Sequence, residues 1–214
     1  MTGRIFVALS CLQGRPMAAA FDELARLGHG IQLTPGNLPT RGFEAHVAAS
    51  GVATRRHHGF AFAARVADVW REGACVVASE SIHPPRAGEP WETTAIVEVM
   101  YPGYELGTGD DVERAMTDRR VLAVDISHVF LQREQGAMTE ATWRRLADYD
   151  RIAEVHVSAN RGRADTHQPI TAATFGLAWA RARLAAGTPT IFESYMHKQS
   201  DAQRRAQLDL IRSA

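Results

Sequence analysis

The 214-residue sequence predicts an α/β fold, a compact (β/α)₈ TIM barrel spanning residues 1–214 as a single domain. Three observations lead there. Short apolar runs alternate with longer amphipathic stretches, the apolar runs number eight, and polar residues recur where the later runs end. Barrels of this class typically need about 250 residues and rarely fall below about 200, so shortened loops and at least one reduced helix are expected. An open doubly wound sheet is the structural alternative.

The elements follow in order. Ile5–Leu9 reads as a strand, and Pro16–Leu27 as a helix with Pro in its first turn and Gly28 just past its end. Ile31–Leu33 is a second strand, followed by a Pro/Gly-rich loop and a weak helix over Phe43–Ala49. A third strand is expected over Val52–His58, a helix over Phe60–Arg71 and a fourth strand over Ala74–Ser79. Pro84–Thr94 is too short and proline-rich for a full helix, which makes it the reduced one. Strands follow at Ala95–Tyr101, Val121–Ile126, Ile152–Val157 and Thr190–Phe192, with helices near Asp110–Met116, Thr139–Ala147, Ala172–Ala185 and Ser200–Ile211.

Composition excludes much chemistry. Basic and acidic residues balance at 24 each, so no net charge draws the chain to nucleic acid, which is not an expected partner. Lys198 is the only lysine and lies in a polar C-terminal stretch, which argues against a Schiff-base lysine; neither a phosphate-binding glycine loop nor a G-x-S-x-G turn occurs. No apolar run approaches membrane-spanning length, and the stretch after Met1-Thr2-Gly3-Arg4 is too short for a signal peptide. Cys11 and Cys75 fit no metal or redox spacing. A cytoplasmic location is expected.

Four consecutive strands each bring an acid or imidazole into otherwise apolar sequence: Glu98, Asp125, His156 and Glu193. At the C-terminal rim of a barrel these would converge. Burying unpaired carboxylates together is untenable unless a cation lies among them. Oxygen and imidazole donors suit a divalent metal, whether zinc, manganese, iron or magnesium. Further candidates surround them. His57-His58 closes the third strand, and since adjacent residues face opposite ways only one points inward; His58 is the one selected. His83 follows the fourth strand. Asp165 and His167, two residues apart, can grip one ion if the chain there is extended. His128, three residues past Asp125, would face away from it if the strand continued. His29, His46 and His197 read as surface residues. Individually, Glu98 could be a strand-end salt bridge, Asp125 a turn organiser, and Asp165 with His167 a helix cap; none of these explains why all fall after strands in order.

The series Glu98, Asp125 with His128, His156, Asp165 with His167, and Glu193 resembles the xylose isomerase-like TIM-barrel superfamily, which holds sugar isomerases and epimerases together with metal-dependent apurinic-site endonucleases (endonuclease IV-like). The resemblance covers most of the chain and is strongest from Ile96 to Ser194. It implies one to three ions. Glu98, Asp125, His156 and Glu193 would hold the central one; His58, His83 and Glu98 a second; His128, Asp165 and His167 a third. His156-Val157-Ser158-Ala159-Asn160-Arg161-Gly162 is similar to the strand-seven region of ketose epimerases. The glycine-rich ending common after the Asp-x-His element is absent, His167 being followed by Gln168-Pro169-Ile170-Thr171.

The leading expectation is therefore a metal-dependent isomerase or epimerase acting on a small sugar-like carbonyl compound. Glu98 and Glu193 would remove and return a proton, while Arg161 or Arg163 would hold a substrate phosphate or carboxylate. The alternatives are a multimetal phosphoesterase resembling apurinic-site endonucleases, a multinuclear non-heme iron oxidase, and a barrel that binds without turnover. The apolar helix at Ala172–Ala185 leaves a face that a homodimer could bury.

Overall fold

In the computed structural model, which describes residues 4–58 and 80–212 (His58 by its backbone alone), eight parallel strands close into a barrel in chain order. They are β1 (Ile5–Ala8), β2 (Gly30–Leu33), β3 (Thr54–His58), β4 (Ser81–Ile82), β5 (Ile96–Val99), β6 (Leu122–Asp125), β7 (Ile152–Val157) and β8 (Thr190–Phe192). Pairing of β8 back onto β1, with Phe6 opposite Ile191, leaves no open sheet edge. Seven α-helices are seen among the described residues: α1 (Met17–Ala25), α2 (Phe43–Ser50), α3 (Gly109–Thr117), α4 (Ile126–Glu134), α5 (Glu140–Ala147), α6 (Leu177–Ala185) and α7 (Asp201–Arg212). No helix among these residues is long and apolar enough to cross a membrane.

The helix expected over 60–71 and the strand expected over 74–79 lie outside the described residues. The fourth barrel position belongs to Ser81–Ile82, which pairs with β3 at His57 and with β5 at Ile96. Residues 84–94 form no helix, as their prolines predict. The seventh and eighth strands match expectation. The sixth ends at Asp125, and α4, which the sequence did not suggest, starts at once. Asp125 causes the change: its Oδ1 accepts from the backbone N–H of Ser127 at 2.6 Å and His128 at 3.3 Å, capping the helix.

Outward-facing Val7, Ile31, Val97, Leu122, Val124, Val155 and Val157 are buried against the helical layer, which contributes Phe21, Leu24, Val112 and Leu177. These residues are what made the strands legible as apolar runs. The interior face is different. Alternation and register put Phe6, Gly30, Gln32, Arg55, His57, Ser81, Glu98, Ala123, Asp125, Glu154 and His156 inside. Phe6 stoppers the foot, and Gly30 makes room for it: a Cβ there would stand 2.4 Å from Phe6 Cδ1 and 3.0 Å from the Ala53 carbonyl oxygen. The Arg55 guanidinium lies 5.7 Å from the Phe6 ring centre. On β7 the register shifts, Leu122 facing Ile152 but Ala123 facing Glu154, a bulge that aligns Glu154 and His156 with Ala123 and Asp125.

Candidate metal centre

Glu98 on β5, Asp125 at the end of β6, His156 on β7 and Glu193 directly after β8 are all buried. His156 Nδ1 stands between two carboxylates, 3.5 Å from Glu98 Oε2 and 3.3 Å from Glu193 Oε1. Ligand atoms of Asp125, His156 and Glu193 lie within 4.8 Å of one another. Glu98 takes part in two further groups of that size. One includes His57 and His83, whose Nε2 atoms are 3.3 and 3.1 Å from Glu98 Oε2. The other includes Asp125 and His128, the latter with Nδ1 3.1 Å from Glu98 Oε1. Asp165 Oδ2 joins this side, 3.3 Å from His128 Nε2 and 3.1 Å from His167 Nε2.

Whether a cation suits these residues can be judged from their unmet bonding. His57 Nε2, both Glu98 oxygens, Asp125 Oδ2, His156 Nδ1, Asp165 Oδ1 and His167 Nδ1 are buried without a hydrogen-bond partner. Each such group costs about 1–3 kcal/mol or more, and folded proteins carry few of them. Their concentration in one pit, with mixed carboxylate and imidazole chemistry, fits divalent metal. The partnered atoms point the same way. His128 Nδ1 donates to the Val99 carbonyl at 3.1 Å, leaving Nε2 for the pit. Asp125 spends one oxygen on its helix and keeps the other free.

With protein groups alone, protons offset the crowded anions. Burial would deprotonate His156 and His128, but carboxylates overrule it: Glu193 and Glu98 raise His156 well above its ordinary value, and Asp125 and Asp165 do so for His128. Burial also opposes the charge on His167, yet Asp165 pushes it up to about 9. Burial would raise Glu98, but His156 and His83 hold it well below the usual carboxylate range. Glu193 is the exception: burial outweighs His156, and with help from Glu98 and Asp125 lifts its carboxyl to about 7.

Of the expected ligands, Glu98, Asp125, His156, Glu193, His83, His128, Asp165 and His167 come together. At the His57-His58 pair the inward ring is that of His57, not the selected His58, whose side chain lies outside the described residues. His128 does not face away from Asp125. Because α4 begins at Ile126, its Nε2 returns to 3.6 Å from Asp125 Oδ2. Nor is the Asp165–His167 segment extended: His167 adopts φ +45°, and its carbonyl is held by the Tyr195 N–H. Arg161 and Arg163 are exposed and line no part of the rim cavity. That cavity, about 150 Å³, is walled above the ligands by Ser10, Gln13, Thr34, Tyr101, Tyr104 and Tyr195. A larger one of about 820 Å³ at the barrel foot, beside Arg4, His29, Arg181 and Arg212, contains none of the clustered donors. Sequence reasoning missed His57 and the buried residues beneath it, Gln32, Ser81 and Glu154. The signal for Glu154 was its position two residues before His156, which puts both on one face.

No protein-family model matches the chain, and no curated protein matches it in sequence. Solved structures do share its fold. A D-tagatose 3-epimerase-like protein superposes with a TM-score of 0.62 at 14% identity, over 97% of this chain and 98% of that one. A D-allulose 3-epimerase from Methylomonas sp. in complex with D-allulose gives 0.56 at 13% identity, over 99% and 91%. A 3-keto-D-glucoside 4-epimerase from E. coli gives 0.57 at 14% identity, over 99% and 100%.

Proposed function

We propose that the chain is a divalent-metal-dependent isomerase or epimerase that moves a proton beside the carbonyl of a small sugar-like substrate. The observation that carries this reading is the pair of buried carboxylates, Glu98 and Glu193, which reach the same His156 Nδ1 from β5 and from the end of β8, at 3.5 and 3.3 Å. Glu98, Asp125, His156 and Glu193 would hold the ion. When bound, it supplies Lewis-acid polarisation of a carbonyl and its neighbouring hydroxyl. The remaining work belongs to side chains. One of the two glutamates takes the proton from the carbon beside the carbonyl, and the other returns one from the opposite side. Hydroxyls and amides of Ser10, Gln13 and Thr34, with the phenols of Tyr101, Tyr104 and Tyr195, match a polyhydroxylated substrate, and among the described residues that line the rim there is no arginine or lysine. The epimerases of the same fold agree with this reading. It assigns a small-molecule partner rather than nucleic acid or membrane, and a cytoplasmic setting.

The test is Glu193→Gln. The variant should keep bound metal but lose deuterium exchange from solvent into the carbon-bound position of ketoses and aldoses, followed by proton NMR. Full exchange in that variant removes Glu193 from the proton path.

A second reading has its own support. The His57–His83–Glu98 group and the Asp165 contacts to His128 and His167 offer donors for further ions, as phosphoester hydrolysis or iron-based oxidation would require. Elemental analysis separates them: one manganese or magnesium per chain favours isomerisation, three zincs hydrolysis, and two or three irons oxidation.

A further inference from the structure

We infer that Glu154 is a positioning residue for the metal centre, a carboxylate anchored by Arg55 that fixes which ring nitrogens of His156 and His57 face the ion. The inference rests on the metal-dependent reading above and concerns how the ligands are held.

Glu154 is completely buried in the barrel interior. Its Oε1 accepts from His156 Nε2 at 2.6 Å, Ser81 Oγ at 2.7 Å and Gln32 Nε2 at 2.9 Å, while Oε2 accepts from Arg55 through Nε at 2.8 Å and through Nη2. An ionised carboxylate offers about four lone-pair sites in all, so these donors saturate it. That decides the status of the trio His57, Glu154 and His156, whose ligand atoms also lie within 4.8 Å of one another. It is a set of supports, with no lone pair of Glu154 left for an ion.

Hydrogen accounting then fixes both rings. Ionised Glu154 can only accept, so His156 Nε2 carries a hydrogen, and Nδ1 is the nitrogen turned toward Glu98 and Glu193, the one whose lone pair becomes available to an ion when its proton leaves. Ser81 has a single hydroxyl proton and gives it to Glu154. Its oxygen must therefore accept from His57 Nδ1–H at 2.9 Å. His57 Nε2 is left to face Glu98 Oε2 at 3.3 Å. One carboxylate thus orients two imidazoles that belong to different donor groups. A glutamine in its place could serve one ring but would strand Arg55, whose two-pronged contact needs a charged acceptor at this depth.

The probe is Zn²⁺ alone, added to the full chain. Affinity and stoichiometry come from competition with a chromophoric chelator, and ring states from histidine ¹⁵N NMR. Glu154→Gln should weaken Zn²⁺ binding by about 10–100-fold, the range for partners that orient ligands, and should let zinc take His156 through either ring nitrogen, read as mixed Nδ1- and Nε2-bound ¹⁵N signals. Because that variant leaves Arg55 buried and unpaired, the double variant Glu154→Gln with Arg55→Gln tests the same point without a stranded charge. Ser81→Ala should alter only His57, abolishing its Nδ1–H preference even in metal-free protein, and should weaken only the ion that uses His83. A folded double variant with wild-type Zn²⁺ affinity and unchanged ring states overturns the inference, as does an unchanged His57 in Ser81→Ala. Should wild type bind no Zn²⁺, the metal reading falls, while the metal-free His57 ring state, compared between Ser81→Ala and the Glu154/Arg55 double variant, still decides whether Glu154 orients that ring through Ser81.

Discussion

Zinc loaded onto the metal-free protein at pH 7 should expel protons, and their number should report which histidines are used. The ring positions that would bind the ion are protonated beforehand: His156 and His128 titrate well above the ordinary histidine value, and His167 near 9. Each captured imidazole releases one proton, and Glu193, titrating near 7, releases about half of one. One ion on Glu98, Asp125, His156 and Glu193 should therefore release about 1.5 protons; engaging His128 and His167 as well raises this to about 3.5. The sign follows from competition. These groups hold protons more tightly than free histidine does, so metal affinity rises with pH, about 30-fold per unit near pH 7 for the one-ion case. The slope lessens once Glu193 is ionised above pH 7 and, where His167 is engaged as well, again above about 9 as that ring gives up its proton. Calorimetric titration of Zn²⁺ in two buffers of different ionisation enthalpy counts the protons directly. A count of zero, or net uptake, refutes the assignment of these rings as ligands.

Other outcomes follow from the same geometry. Gly30→Ala should cost about 1–3 kcal/mol through collision with Phe6, read as a lowered Tm; Phe6→Leu should recover part of the loss, and an unchanged Tm contradicts the packing described. Asp125→Asn keeps a competent helix cap, so metal-free Tm should hold or rise while the Zn²⁺-induced gain in Tm shrinks; collapse of the metal-free protein instead makes the residue mainly structural. His29 is lowered to about 4 by burial and by Arg212, so it stays neutral in the fold while the unfolded chain takes a proton below about 6.5. Stability it contributes is present above that value and is lost as pH falls toward 4, about 1 kcal/mol after allowance for its exposure. His29→Gln should flatten this part of a denaturant-derived stability profile, and an unaltered profile removes the effect.

The sequence disclosed the barrel because its outward faces are apolar: Val124, Val155 and Phe192 sit in runs whose neighbours are turn formers. It disclosed the acids and imidazoles for the opposite reason, since Glu98 and His156 interrupt those runs. What it could not resolve was phase. In Arg55-Arg56-His57-His58 both faces are polar, so nothing local says which histidine points inward; only the pairing of His57 with Ser81, a contact to another strand, decides it. His128 was misjudged because a strand and a capped helix share the sequence Asp125-Ile126-Ser127-His128, and the cap prevails. Arg161 and Arg163 drew notice by charge alone, which carries no information on direction. Glu154 was overlooked because its role depends on Arg55 and Ser81, far away in the chain.

The aromatic stopper at the barrel foot has a bearing on traffic. Among the described residues Phe6 and Arg55 fill the base, and the rim cavity at the opposite end is the opening that ion, chelator and reactant share. Arrival is then ordered, and whatever enters last locks in what came before: an occupied mouth should slow the stripping of a bound ion, and an ion delivered late should find its berth obstructed.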